Sequence, residues 1–364
     1  MAKKINWKSI LGWGIAAVFV GCILYFNSSK TEGKLRFVVM APLSGPVGYL
    51  GQEEKLGIEE AYKNAPNKDD VELIFEDTQG NATMAISILQ RHLAMGDKFF
   101  YTSTTAQTNA VLSVLETQQD KPFVFTITMM PNQTKGYPLA YRIYPTSMQE
   151  MEGVAEYVKQ KGYKKLGVLT AMMATYEGCI KHLQALLPDV TIYEESFNTD
   201  EKDFRILLEK MKRENVEAIL VNGYAPHFRS IIHHKDTAWD IPLLLGFNTL
   251  QLNDLPYSQL KDVVFRQPEF IMEIPKSDKF QNNNKISVGY ETFYAYDTMD
   301  MFMKAVAQAK ERTPETVGKA MENLNFNGLT GKIIFDKDRD AILKQKMFKF
   351  NQDKKVVPVE SEKK

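Results

Sequence analysis

The sequence contains little cysteine and carries no net charge, and both features limit the classes of protein to which it can belong. Its two cysteines, Cys22 and Cys179, include one in a hydrophobic run near the N-terminus, so we expect no disulfide within the folded body. Lysine plus arginine and aspartate plus glutamate both number 45. Without an excess of positive charge the chain lacks the field that attracts nucleic acid, and we predict no nucleic-acid partner.

Motifs for catalysis and metal binding are also missing. His227 and His234 lie too far apart on a helix to share one metal ion, and no G-x-S-x-G nucleophile motif occurs. Cys179 has no evident catalytic helper, and acidic pairs such as Asp338 and Asp340 fit strand-end caps or solvated turns. We therefore expect a protein that is not an enzyme and that uses no catalytic residues, no metal and no cofactor.

One long hydrophobic run is present, at the N-terminus. Residues 10–26 carry no charge and would rise about 26 Å as a helix, close to the thickness of a hydrocarbon core. Lys3, Lys4 and Lys8 precede the run, which favours leaving that end in the cytoplasm and exporting the rest. Three outcomes stay open: an uncleaved signal anchor, a lipoprotein with Cys22 of "FVGC" as its lipidation site, or ordinary signal cleavage. The expected location is the extracytoplasmic (periplasmic) face of the bacterial inner membrane, with a tether of helix or lipid.

Beyond Lys34, short β-rich runs alternate with helical stretches. The strands predicted in the first half are 35–41, 71–77, 98–102 and 122–127, with helices at 51–63, 82–94 and about 106–119. The second half repeats the order with strands at 165–171, 190–197, 216–224 and 241–247, and helices at about 148–161, 176–187 and 201–215. This alternation predicts an α/β fold of two doubly wound domains with mostly parallel sheets.

The loop after the first strand, within "APLSGPVGYLGQEE" (41–54), is rich in glycine without being a phosphate loop. Its spacing does not match G-x-x-x-x-G-K-[ST], and Gln52 and Glu53 occupy the places of lysine and serine. We expect Glu53 and Glu54 to open the following helix, where they would repel a phosphate. Ligands bind at the carboxyl edge of open α/β sheets, which makes the loop a candidate wall of a binding site. A tight turn that binds nothing is the alternative. The candidate residues are Ser44, Tyr49 and Leu50.

A second loop at that edge, "YTSTTAQTNA" (101–110), brings hydroxyl groups to the start of a helix. Ser103, Thr104 and Thr105 combine these hydroxyls with free helix N-terminal amides, an arrangement that suits a carboxylate or another anion. Ordinary helix caps are the alternative interpretation.

Two loops of the second half each place a tyrosine beyond a strand end. They are "MMATYEG" (172–178), with Tyr176, and "VNGYAPH" (221–227), with Tyr224. A tyrosine at such a position offers apolar area together with a hydroxyl group. We expect the loops of the two halves to form the facing walls of a cleft.

Five collinear stretches resemble one known family. They are "APLSGPVGYLGQEEKLGIEEA", "LIFEDTQGNATMAISILQRHLA", "EKDFRILLEKMKRENVEAILVNGY", "YETFYAYDTMDMFMKA" and "GLTGKIIFDKDRD", and the resemblance covers about residues 34–350. They resemble the leucine/isoleucine/valine-type periplasmic binding proteins (type I), the substrate-binding receptors of branched-chain amino-acid ABC transporters.

The resemblance implies two Rossmann-like lobes that close on a ligand by hinge motion. They would be joined by three crossovers near residues 145, 268 and 333. The implied segments are 1–33 (cytoplasmic stub, signal anchor or lipoprotein signal, and linker), 34–145 with 268–332 (lobe I), 146–267 with 333–356 (lobe II), and 357–364 (disordered tail).

The resemblance also implies which residues hold the ligand. The loops aligned with 103–105 and 126–128 would grip a ligand carboxylate, and Tyr176 and Tyr224 would close over it. At "LGFNTL" (245–250) leucine-type members carry a glutamate that pairs with the ligand ammonium, and here Asn248 stands at that position. Glu291 is the expected substitute. The implied site is Ser44, Tyr49, Leu50, Ser103, Thr104, Thr105, Thr126, Thr128, Tyr176, Tyr224, Asn248 and Glu291.

Together these expectations predict that the protein is a solute receptor outside the cytoplasm. It would bind a small carboxylate- or amide-bearing, amino-acid-like ligand between its lobes and deliver it to an ABC permease. Because the chain has no ATPase motif, the permease and its ATPases would be separate proteins. A ligand-sensing or regulatory module of the same fold, acting through a membrane or cell-envelope partner, is the alternative. An exported enzyme is the third hypothesis.

Overall fold

The computed structural model describes residues 33–235, 239–246, 249, 252–268, 289–343 and 345–359. The first described elements are β1 (Leu35–Ala41), α1 (Gly48–Asn64), β2 (Val71–Asp77), α2 (Ala82–Ala94), β3 (Phe99–Ser103), α3 (Thr105–Leu115), β4 (Phe123–Ile127) and β5 (Ala140–Arg142). Their strands form the first sheet, in the order β2-β1-β3-β4-β5 with every pair parallel. The strand–helix alternation of the sequence therefore produces the expected parallel sheet.

The second sheet is built from the middle and the end of the chain. The middle elements are α4 (Ser147–Lys161), β6 (Lys165–Ala171), α5 (Cys179–Leu186), β7 (Thr191–Phe197), α6 (Arg205–Arg213), β8 (Ala218–Asn222), α7 (Ala225–His234), β9 (Leu243–Leu245), α8 (Tyr257–Leu260) and β10 (Val263–Pro268). The late elements are α9 (Tyr290–Gln308), α10 (Pro314–Glu322), β11 (Phe326–Gly328), β12 (Gly331–Ile333), β13 (Gln345–Phe350) and β14 (Val356–Pro358). The sheet order is β14-β13-β10-β9-β8-β6-β7. Only the β10–β13 and β13–β14 pairs of this sheet are antiparallel, and β11 with β12 forms a separate hairpin.

The late helix α9 returns to the first sheet and completes its core. The ring of Phe302 on α9 lies 4.4 Å from Phe37 and 5.7 Å from Phe99, centroid to centroid. Helix α1 packs so closely on α9 that a Cβ atom at Gly57 would come within 2.1 Å of the Thr292 carbonyl oxygen. Strands β3 and β4 are buried along their whole length, which explains their continuous apolar sequence. The predicted α/β architecture with mostly parallel sheets is confirmed.

The connections between the sheets are held by a buried ion pair. The chain leaves the first sheet at residues 143–146 and approaches the second sheet again at residues 334–343. Arg142, the last residue of β5 before the first connection, donates to the Asp340 carboxylate in the other connection, and both residues are buried. Asp340 therefore does not lie in a solvated turn, as its sequence context suggested, because it neutralises a buried arginine. The stretch 269–288 lies outside the described residues.

Three expectations from the sequence differ from the structure or lie outside it. Helix α1 begins at Gly48 rather than residue 51, so Glu53 and Glu54 lie in its second turn and are only 2% and 1% exposed. The tail expected from residue 357 is shorter, since Val357 and Pro358 pair with β13. The N-terminal run lies within residues 1–32, which the structure does not describe. Among the described residues, no helix combines the length and hydrophobicity that a membrane crossing requires.

Candidate functional site

A cleft lies between the carboxyl ends of the two sheets. Its volume is about 450 Å³, including the part open to solvent. The residues predicted for the site that line it from the first sheet and its helices are Leu50, Ser103, Thr104, Thr105, Thr128 and Glu291. Tyr176 and Tyr224 line it from the second sheet. The loops that follow parallel strands therefore meet where the sequence placed a binding site.

The corner between β3 and α3 has a strained backbone. Thr104 adopts φ 64° and ψ 149°, a conformation that a β-branched residue rarely takes, and it precedes the first residue of α3. Its side chain makes no capping hydrogen bond, and the first backbone bond of the helix runs from Thr108 N–H to the Thr104 carbonyl. Helix geometry leaves the N–H groups of residues 105–107 without partners inside the helix. The corner therefore offers amide donors to an anion, and strain of this kind is found mainly at functional sites.

A chain of hydroxyl groups crosses the cleft. The Thr105 Oγ1 atom lies 3.0 Å from Thr128 Oγ1 and 2.8 Å from Thr175 Oγ1. Thr175 follows β6 of the second sheet, so this hydrogen bond joins the two walls directly. Sequence reasoning missed Thr175, although it stands beside Tyr176 in a loop that was recognised as a cleft wall.

Two tyrosines form the opposite wall. The Tyr176 hydroxyl donates to the Gly223 carbonyl oxygen at 3.4 Å, and the side chain is almost fully buried. Tyr224 precedes α7, and its backbone N–H donates to His227 Nδ1 at 3.1 Å. Burial raises the pKa of both phenols, so both stay neutral and can donate a hydrogen bond.

Two buried carboxyl groups complete the first wall. Glu54 and Glu291 line the cleft and are 1% and 2% exposed. Burial raises the pKa of Glu54 to about 8, and the nearby hydroxyls of Ser103 and Tyr101 lower it only in part. Burial also raises the pKa of Glu291, against the opposing effects of Glu53 and of the Tyr144 hydroxyl.

Sequence reasoning missed Glu54 because it placed the start of α1 too late. The helix begins at Gly48. Its buried face then contains, at helical spacing, Leu50, Glu54, Ile58 and Ala61. A glutamate in the middle of an apolar stripe is the signal that could have identified it, because a charged residue is rarely buried without a function or a partner.

Three predicted residues lie outside the lining. Ser44 is exposed, and its hydroxyl donates to Asp77 Oδ2 at 2.6 Å, so it stabilises the turn after β1. Tyr49 is half-buried, and burial and then the nearby Glu291 and Tyr224 raise its pKa. Thr126 is buried near the end of β4. Asn248, expected in the cleft, and Cys22, the candidate for lipidation, lie outside the described residues.

The arrangement can bind a small molecule without chemical change. It combines amide donors, hydroxyl groups, phenols and carboxyls on two facing walls. Among the described residues, no group of three or more His, Cys, Asp or Glu side chains is placed to hold a metal ion.

Comparisons with known proteins agree with this geometry. A family model described as a periplasmic binding protein matches residues 34–238. The leucine-, isoleucine-, valine-, threonine- and alanine-binding protein of Pseudomonas aeruginosa is 22% identical over 339 residues, which cover 87% of this chain and 89% of that protein.

Solved structures share the fold. A branched-chain amino acid transporter substrate binding protein of Streptococcus pneumoniae, in complex with isoleucine, superposes with a TM-score of 0.76 at 18% identity and covers 90% of this chain and 100% of its own. A solute binding protein of an ABC transporter of Rhodopseudomonas palustris, in complex with 3,4-dihydroxybenzoic acid, gives a TM-score of 0.80 at 16% identity and covers 90% and 96%. At these identities the two structures show a common fold.

Proposed function

Because this chain belongs to the periplasmic binding protein family and is a substrate-binding protein rather than an enzyme, we propose that it captures a small amino-acid-like solute between its two sheets. The ligand carries a carboxylate or an amide, and the protein delivers it to the permease of an ABC transporter. The two sheets with their helices act as lobes that close on the ligand.

One observation carries the proposal: polar groups of both lobes meet in a single cleft. The strained corner at Thr104 directs helix amides toward a carboxylate from one side, and Tyr176 and Tyr224 cover the other side. The hydrogen bond between Thr105 and Thr175 shows how closely the lobes approach beside this site. A ligand held between such walls favours the closed arrangement by the difference in its affinity for the closed and open forms.

The names of the relatives support an amino acid over other solutes. The Pseudomonas aeruginosa relative is named for five amino acids, and the Streptococcus pneumoniae structure holds isoleucine. The Rhodopseudomonas palustris structure holds an aromatic acid, so the same fold also accepts carboxylates without an amino group. The common element of these ligands is a carboxylate, which suits the amides at the start of α3.

Membership of the family indicates a periplasmic location. We propose in addition that the N-terminal hydrophobic run, residues 10–26, tethers the receptor to the inner membrane, as a signal anchor or through a lipid on Cys22. The lysines before the run would stay on the cytoplasmic side. Such a tether would keep the receptor near its permease.

The test is a thermal-unfolding screen of the full chain, in detergent, against the common amino acids, their amides and aromatic acids. A ligand at 100 times its dissociation constant stabilises a protein by about 2.7 kcal/mol, and we expect at least one amino acid or amide to do so. Ser103→Ala and Tyr176→Ala should each remove most of the shift. Ser113→Ala, on the exposed face of α3, should leave it unchanged. A screen without any stabilising compound would reject the proposal, and a full shift in both cleft variants would reject the site.

A further inference from the structure

We propose that a groove at the amino edge of the first sheet rests on the phospholipid headgroups of the membrane to which the N-terminal run tethers the receptor. The groove is lined by residues 33–36, residues 95–99 and Arg312, and its volume is about 760 Å³, including the part open to solvent. The inference rests on the tether of the proposed function and extends it, because it assigns the surface of the folded body that faces the membrane.

The groove and the cleft lie at opposite edges of the first sheet. Strand β1 begins at Leu35 and β3 at Phe99, and both residues line the groove, whereas Ser103 at the end of β3 lines the cleft. The seven residues of β1 span about 23 Å, since a parallel strand rises roughly 3.3 Å per residue. The groove can therefore contact a membrane while the cleft stays open to the solution.

The chain enters the first sheet through this groove. Gly33, the first residue that the structure describes, lines it. Six residues, 27–32, separate Gly33 from the hydrophobic run 10–26, and ten, 23–32, separate it from Cys22. Because an extended chain spans at most about 3.6 Å per residue, the groove lies within about 25 Å of a helical anchor or about 40 Å of a lipidated Cys22. So short a connection holds the groove near the membrane at a high effective concentration.

The turn between α2 and β3 exposes an apolar side chain beside the groove. Met95, directly after α2, is 65% exposed. Gly96 follows it with φ 88°, and a Cβ atom there would meet no other atom within 4 Å in the described part of the chain. An exposed methionine on an open turn can enter the interfacial region of a bilayer, where its apolar surface leaves water.

The exposed charges of the lining are positive. Asp97 also lines the groove, but its side chain is only 3% exposed and is bonded to Arg36 and His92. The basic side chains of the lining are 27–56% exposed, and they are Lys34, Arg36, Lys98 and Arg312. Exposed lysine and arginine side chains of this kind are donors for phosphate oxygens.

Exposed acids stand outside this lining and pair with its bases. Their side chains are 44–93% exposed, and they are Asp69, Asp70, Glu72 and Asp120. Exposed ion pairs are weak, so a headgroup can compete for both partners. Bases in the groove and acids around it match the phosphate and the ammonium of a zwitterionic headgroup. Such a mixed surface has no strong preference for anionic lipid.

Docking by this groove orients the receptor. With the amino edge of the first sheet on the membrane, the carboxyl edge and the cleft point away from it. The solute then enters the cleft from the solution. The second sheet lies beyond the cleft, so its exposed side chains should not touch lipid.

The experiment identifies which surface touches lipid, with the full chain reconstituted into phosphatidylcholine vesicles. A photoreactive benzoylphenylalanine replaces Met95 in one variant and Ile206 in the other, since Ile206 lies on α6 beside the second sheet and is 74% exposed. Illumination should add the mass of a phospholipid at position 95 with a yield roughly fivefold or more above that at position 206, because only the groove is held at the membrane. The same ratio is expected in an equal mixture of phosphatidylcholine and phosphatidylglycerol.

A second pair of variants tests the bases. Lys34→Gln with Lys98→Gln, added to the Met95 variant, should lower the yield roughly threefold, because the headgroup phosphate loses two donors. The matched control is Lys210→Gln with Lys261→Gln. These lysines also form exposed ion pairs, at 2.9 and 2.8 Å, but lie in the part of the chain that builds the second sheet. Their replacement should leave the yield unchanged.

The outcomes separate the inference from the proposed function. Equal yields at positions 95 and 206, or no lipid adduct at position 95, would overturn the docking surface and leave solute binding standing, since the thermal-unfolding screen measures it independently. An adduct that forms only with phosphatidylglycerol, or a yield that ignores the lysine replacements, would overturn the match to a zwitterionic headgroup. A full chain that does not float with the vesicles would reject the tether, and this inference with it.

Discussion

The two walls of the cleft rest on two buried arginines that are bonded very differently. The Arg142 and Arg266 side chains are both 0% exposed. Arg142 donates to both oxygens of Asp340 and to the carbonyl oxygens of Thr128 and Met130. Its guanidinium thus connects the loop that carries Thr128 to the connection between the sheets.

Arg266, near the tyrosine wall, uses little of its hydrogen-bonding capacity. It donates from Nη2 to Glu150 Oε2 at 3.1 Å, and its Nε and Nη1 atoms make no hydrogen bond in the described part of the chain. Glu150 Oε1 is likewise without a partner there, and burial raises the pKa of Glu150 although Arg266 opposes the shift. The pair lies close enough to Tyr176 to affect the pKa of that phenol.

The difference indicates unequal rigidity of the two walls. The wall that contains Thr128 is held by a guanidinium whose donors bond the loop at residues 128–130 and Asp340 in the connection between the sheets. The tyrosine wall lies near a pair with unused donors and acceptors, and such a pair can change its hydrogen-bond partners. Buried polar networks define one conformation only when all their members are bonded.

The largest expected effect on stability comes from replacing Arg142. Arg142→Met should lower the free energy of unfolding by about 3–5 kcal/mol, because it leaves the buried Asp340 carboxylate without its counter-charge. Urea unfolding measures the loss. The matched control is Arg229→Met, since Arg229 and Asp254 form an exposed ion pair at 2.7 Å and such pairs contribute less than about 1 kcal/mol. Equal losses in both variants would contradict the role given to Arg142.

The next prediction compares paired replacements. Arg266→Met alone should lower stability by about 3 kcal/mol, and adding Glu150→Leu should restore most of it, since an apolar pair can replace a buried ion pair. Adding Asp340→Leu to Arg142→Met should not restore stability. The carbonyl oxygens of Thr128 and Met130 would still lack their donor, and the Thr134 hydroxyl would lose Asp340. Equal recovery at both pairs would remove the distinction between the walls.

Over one pH unit, a smaller change in stability is expected from the titration of Glu54. The pKa of Glu54 is about 8 in the folded protein and near the usual value of about 4.5 in the unfolded chain, so the folded state binds the extra proton between these values. Stability should therefore fall as pH rises from about 5 to 8, by up to about 1.4 kcal/mol per pH unit from this group. Glu54→Gln should flatten the curve, and Glu59→Gln should not. Parallel curves for all three proteins would show that Glu54 does not titrate in this range.

The sequence predicted the fold well because the fold depends on local patterns. Runs of β-formers between amphipathic segments determine which segments become strands and helices, and parallel sheets follow from their alternation. The hydroxyl-rich corner at residues 103–105 and the tyrosines were identified for the same reason, since each follows directly from the end of one strand. Their meeting in one cleft follows from the rule that ligands bind at the carboxyl edge of such sheets.

The features that the sequence did not predict depend on contacts between distant residues or on the residue at which a helix begins. Arg142 and Asp340 are 198 residues apart, and no local pattern relates them. The predicted start of α1 at residue 51 puts Glu54 in the first turn, whereas the observed start at Gly48 puts it in the buried second turn. The shift is three residues, close to one helical turn, so it moves Glu54 from the exposed helix end into the packed region.

The smallest expected effect tests the rigidity of the first wall at its strained residue. Thr104→Gly should raise the free energy of unfolding by about 1 kcal/mol, because relief of about 1–3 kcal/mol of backbone strain at φ 64° exceeds the entropy that glycine adds to the unfolded chain. Ser113→Gly, in the middle of the same helix, should lower it by about 0.5 kcal/mol. The stabilised variant should bind its ligand more weakly, since the corner is no longer held in the shape that directs its amides to the anion. A loss of stability equal to that of Ser113→Gly would show that the corner stores no strain, and the first wall would then owe its shape to Arg142 alone.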